Sequence, residues 1–93
     1  MKVVINKCYG GFGLSKEAMD LYLERKGMQG EKIHSSEIDR IDPILIEVVE
    51  ELGILASDVY SELDIVYIPD DVDWYIEEYD GNEWVAERHR TWR

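Results

Sequence analysis

Three glycines fall within four residues in Tyr9-Gly10-Gly11-Phe12-Gly13-Leu14, and Ser15 follows where a helix would begin. Glycine lets a backbone enter left-handed conformations and approach a ligand with no Cβ in the way. Set between a strand and a helix N-terminus, such a loop aims free N–H groups at an anion, with the helix dipole in support. Ser15 adds a hydroxyl, Lys7 and Lys16 add charge, and Tyr9 and Phe12 offer rings that stack on a base. The combination suits a nucleotide phosphate. The spacing, however, is neither Gly-x-Gly-x-x-Gly nor the phosphate loop Gly-x-x-x-x-Gly-Lys-Ser/Thr. The competing reading is a tight strand-to-helix turn in which the glycines only permit the bend.

The other end of the chain, Arg88-His89-Arg90-Thr91-Trp92-Arg93, reverses the local charge of a protein whose net charge is -11. Arginine forks bind phosphate at two points, and a neighbouring tryptophan stacks on a base or a guanidinium, so Arg90 and Trp92 are candidate ligand residues. The plain alternative is a basic edge strand paired with Glu77-Glu78, and for Arg93 simple fraying. Arg40 is a further candidate at a phosphate, or else a surface or capping partner beside Asp42.

Catalysis finds little to stand on. Cys8 with His34 or His89 as base would make a nucleophile, but free cysteines are more often small buried hydrophobes. One Cys and two distant His lack the close ligand pairs of a zinc site. The nine carboxylates from Glu62 to Glu83 do not follow the spacing of a calcium-binding EF-hand loop. They read as a solvated face, or more sharply as a mimic of nucleic-acid charge. No catalytic residue, metal or cofactor is assigned.

The elements that must position these residues follow from the pattern. At 93 residues, 45% of them hydrophobic, residues 1–93 form a single domain with its own core. Residues 2–6 are a short buried strand of β-branched residues. Ser15 is an N-cap, and residues 16–26 form a helix with Ala18, Met19, Tyr22 and Leu23 on one face and Gly27 beyond its end. Residues 28–41 are a surface connection. Asp42-Pro43 opens a second helix whose stripe is Leu45, Val48, Val49 and Leu52, ended by Gly53. Residues 54–61 allow one more helical turn. Residues 63–68 form a strand closed by Pro69, and 74–79 and 84–88 a hairpin around Asp80-Gly81, with Asn82 and Glu83 open to either side. The order is β-α-α-β-β-β, an α+β fold with a mixed or antiparallel sheet and helices packed on one face. No apolar run is long enough to span a bilayer and no signal peptide opens the chain. A single cysteine fits a reducing compartment, and a pI near 4.4 argues against binding nucleic acid or anionic membranes directly. The expectation is a cytoplasmic domain.

Val4 to Ser15, Arg40 to Gly53, Ile65 to Val72, Ile76 to Gly81 and His89 to Trp92 together resemble a widespread family of small phage and prophage proteins. The resemblance implies an accessory protein acting in a bacterial host cytoplasm, of a kind that often counters host defence, in one class by sequestering nucleotide signals. Joined to the glycine loop, it leads to a non-catalytic, homo-oligomeric protein that captures a small nucleotide, either a cyclic dinucleotide or an ADP-ribose-derived signal. Residues 10–15 would hold a phosphate, Arg90 or Arg40 would neutralise it, and Tyr9, Phe12 or Trp92 would stack on the base. The rival is an acidic inhibitor that blocks a basic site on a host defence or nucleic-acid-binding protein. In that case the glycines are only a turn.

Overall fold

The structure, a computed structural model, describes residues 1–88. Strand β1 (Lys2–Asn6) carries Val3-Val4-Ile5, and its residues 3–6 are all buried. It pairs antiparallel with β2 (Leu63–Tyr67), Val4 opposite Ile65 and Asn6 opposite Leu63. Because strand side chains alternate, Val4, Leu63 and Ile65 share one face while Val3 and Ile5 point to the other. The first face receives the two helices. Helix α1 (Lys16–Arg25) and helix α2 (Pro43–Leu52) bring Ala18, Leu23, Leu45, Val48 and Val49 against Val4 to make the core.

Both helix starts are the ones the sequence marks. The Ser15 hydroxyl accepts the Ala18 N–H at 3.1 Å, and the Asp42 carboxylate accepts the Ile44 N–H at 2.9 Å, with Pro43 in the first turn. Asp42 also pins the helices together, accepting from the Tyr22 hydroxyl at 2.7 Å and lying 2.8 Å from the Lys26 ammonium. Burial opposes its ionisation, but Lys26, Tyr22 and the Ile44 N–H together hold its carboxyl below the usual range. Arg25 spans the same pair of helices to Glu47 and Glu51.

The connection after α1 contains one 3-10 turn, Ser35–Glu37, capped by the His34 side chain and closed by Glu37 on the His34 N–H. The extra turn expected somewhere in 54–61 is a 3-10 turn over Gly53–Ala56. Strands β3 (Trp74–Tyr79) and β4 (Asn82–Glu87) form an antiparallel hairpin. Its loop is Asp80-Gly81 alone, with φ of 50° and 89°, the doubly left-handed turn that matches the twist of paired strands. Asn82 and Glu83 therefore belong to β4, which begins two residues before the expected strand. The order is β-α-α-β-β-β and the fold is α+β. The antiparallel alternative is the one realised, divided between two two-stranded sheets. Strand β4 lies against β1, on the edge that β2 leaves open. Among the described residues no helix is long and apolar enough to cross a membrane.

Candidate functional site

The glycine segment lies where the sequence puts it, between β1 and α1, and two other segments are packed onto it. A Cβ on Gly10 would overlap the Tyr60 backbone, and one on Gly13 would overlap the Asp58 carboxylate. Neither glycine has the positive φ that requires the residue for its backbone alone. Close approach is what requires them. From the opposite direction comes the hairpin turn, where a Cβ on Gly81 would stand 2.7 Å from the Gly11 Cα. The loop is thus the junction of residues 55–61, the hairpin tip and the helical body.

Hydrogen bonds close the junction. The Ser15 N–H donates to the Ala56 carbonyl at 2.9 Å, and the Ser15 hydroxyl donates to the Leu55 carbonyl at 2.6 Å besides capping α1. The Ser61 hydroxyl donates to the Gly13 carbonyl at 2.7 Å, and the Leu14 N–H donates to the Ser35 hydroxyl at 3.3 Å. Asn6, fully buried at the end of β1, gives its amide hydrogens to the Cys8 and Gly81 carbonyls at 2.7 and 2.6 Å. Its amide oxygen accepts the Glu62 N–H at 2.8 Å and the Cys8 N–H at 3.3 Å. All four hydrogen-bonding positions of that side chain are used, which makes Asn6 the polar hub of the junction.

Arg40 is committed within the chain. Its guanidinium grips Glu83 at 2.5 and 2.8 Å, reaches the Val4 carbonyl at 3.4 Å, and stacks 3.6 Å above the centre of the Phe12 ring. Glu83, 8% exposed, also accepts the Asn6 N–H at 2.8 Å. A fork-to-fork pair of this kind is strong because both partners are preorganised and largely withdrawn from water. Arg40 and Phe12 are brought together, as a phosphate site would need, but a carboxylate of the same chain occupies the guanidinium fork.

Of the remaining candidates, Tyr9 is exposed, Gly10, Gly11 and Gly13 form the junction, and Ser15 is a cap. Arg90 and Trp92 lie outside the described residues. Cys8 faces an open recess of about 680 Å³ whose other walls include Lys7, Ile54, Asp58, Glu62 and Asp64. Lys7, its cation, is paired with Asp64, and that contact holds the Asp64 carboxyl below its usual range. Asp58 lies on Gly13, so the negative charge stands where an anionic ligand would arrive. Among the described residues, no three His, Cys, Asp or Glu side chains converge as metal ligands would.

Two features of the junction have little signal in the sequence. Asn6 and Glu83 are 77 positions apart and carry no local pattern. The second feature is a display of apolar side chains along the segment laid over the junction: Ile54 is 88% exposed, Val59 88%, Tyr60 68% and Leu55 59%. In the sequence this segment reads only as room for one more helical turn. Around it the surface is acidic. Among the described residues, seven of the eight Lys and Arg side chains are ion-paired. With the N-terminus, they match nine of the 21 carboxylates, and the other twelve have no ion pair among the described residues.

No protein-family model, curated protein or solved structure matches this chain. The phage-family resemblance gains no support from those comparisons, and the functional reading rests on the geometry.

Proposed function

We propose that this chain is a non-catalytic protein-binding module whose acidic surface docks on and blocks a basic site of another protein, such as the groove of a nucleic-acid-binding protein. The observation that carries the reading is the fate of the cations: among the described residues seven of the eight Lys and Arg side chains are held in internal pairs, and twelve carboxylates have no such partner. A surface of one sign steers a complementary partner and raises its association rate. Charge alone gives little specificity. The exposed Ile54, Leu55, Val59 and Tyr60 supply the apolar contact that an interface core needs within an acidic surround. On the phage resemblance, the partner is a defence or nucleic-acid-binding protein of the bacterial host.

Capture of a small nucleotide draws support from the glycine backbone but meets two obstacles in the structure. Arg40 is neutralised by Glu83, and Asp58 occupies the approach to Gly13. The protein-binding reading is therefore the stronger of the two. Native mass spectrometry of the chain recovered from its host cells tests it. The expected species is a complex with a basic polypeptide that dissociates as salt is raised. A stoichiometric adduct of nucleotide mass, retained in high salt and released by heat, would overturn the reading.

A further inference from the structure

We propose that the outer face of the β3–β4 hairpin is a guanidinium-binding surface that selects arginine over lysine in a basic protein partner. The inference rests on the protein-binding reading above and names the chemistry that reading requires.

The register pairs Tyr75 with Ala86, Glu77 with Trp84 and Tyr79 with Asn82, so Tyr75, Glu77, Tyr79 and Trp84 share one face. Glu83 points to the opposite face, into its contact with Arg40. Glu77 sits at the centre of the outer face. One of its carboxylate oxygens accepts the Tyr75 hydroxyl at 2.7 Å and the other accepts the Trp84 indole N–H at 2.8 Å. The two contacts fix the rings around a negative charge and leave the carboxylate able to accept further donors, since an ionised carboxyl has about four acceptor positions. Trp84 is 43% exposed and Tyr79 67%. Residues 73–88 hold six carboxylates and one arginine.

The molecule itself demonstrates the chemistry twice. Arg40 is held by the Phe12 ring and the Glu83 carboxylate. Arg88 lies 5.0 Å from the Tyr75 ring centre and 3.7 Å from Asp73. In each case a guanidinium meets a ring and an acid together. Trp84 and Tyr79 beside Glu77 repeat the combination. A guanidinium is planar and weakly hydrated, so it stacks on a ring while still donating to a carboxylate, whereas an ammonium is compact and strongly hydrated. Charge decides the class of occupant. A nucleic acid brings like charge to the face, as on balance does a second copy with its net charge of -11, and an arginine-rich segment of a basic protein brings the opposite.

The test is calorimetric titration of the full chain, at fixed salt, with two peptides of equal length and charge, one built on arginine and one on lysine. The arginine peptide should bind about five- to thirtyfold tighter, the range two exposed cation–π contacts provide. Trp84→Ala and, separately, Tyr79→Ala should reduce that ratio toward one while leaving the lysine peptide's affinity within about twofold, with circular dichroism checking that each variant is folded. Tyr79 is the safer site because so little of it is buried. Equal affinities in the parent chain, or a ratio that survives both substitutions, would overturn the arginine surface and leave the acidic reading standing. Failure of both peptides to bind would overturn the acidic reading as well.

Discussion

The two small sheets of this protein are built on opposite terms. Strand β1 has four consecutive buried residues and is covered by helices through Val4, Leu45, Val48 and Val49. The hairpin contributes no side chain to that core, and the one buried residue in its strands is a charged one, Glu83. Apolar burial is non-directional and tolerates small shifts, whereas a bidentate Arg-carboxylate pair fixes an orientation. The body is therefore held by packing and the hairpin is aimed by polar contacts. A two-stranded sheet is marginal on its own in water, so the contact of Glu83 with Arg40 and Asn6 has to do much of the anchoring. The opposite hairpin face, with Glu77, Tyr79 and Trp84, takes no part in that anchor.

The comparison breaks most forcefully at the anchor. Glu83→Ala strands the Arg40 guanidinium, and removing one member of a buried pair costs about 3–5 kcal/mol. Urea unfolding should register that loss. Replacing both residues, as Arg40→Met with Glu83→Leu, should recover most of it, because no charge is then left unpaired. In the body, Leu45→Ala should cost about 2–5 kcal/mol by opening a cavity at a fully buried position. No second substitution of opposite charge should rescue it, which separates the two kinds of attachment.

Next in size is the glycine junction. Gly13→Ala drives a Cβ into the Asp58 carboxylate, and overpacking of this kind costs about 1–3 kcal/mol. Asp58→Ala should relieve much of the damage, and a double-mutant cycle over the two sites measures the coupling. Strict additivity would mean that the loop and the 55–61 segment do not press on each other. The smallest effect is the pH response of the helix pin. Asp42 has a depressed carboxyl pKa in the folded chain, against an unfolded value of about 3.9. Its contribution is complete above that value and is lost as pH falls through the folded one. Chemical denaturation from pH 6 down to about pH 2 should show this loss setting in below about pH 4, and Asp42→Asn should flatten that part of the profile.

Local chemistry was legible in the sequence and long-range polar chemistry was not. The β-branched run of β1, the caps Ser15 and Asp42, Pro43 in the first turn and the Asp80-Gly81 turn each act within a few residues, and each is found as expected. The glycines were legible as a need for space. What fills that space, Tyr60, Asp58 and the hairpin tip, comes from far along the chain. Arg40 shows the same limit. Its charge and its place before α2 were visible, but Glu83 lies 43 residues away with no pattern pointing back. Glu83 itself could not be assigned to a strand until the length of the hairpin loop was known.

The central claim is that the working surface is the acidic exterior, above all the outer hairpin face, and that the glycine loop is a junction within the fold. Amide hydrogen exchange of the full chain, alone and saturated with the arginine peptide, tests it most directly. The account predicts slowed exchange in residues 74–79 and 82–87 on binding, with residues 10–13 unchanged. Protection confined to residues 10–13, with the hairpin unaffected, would contradict it.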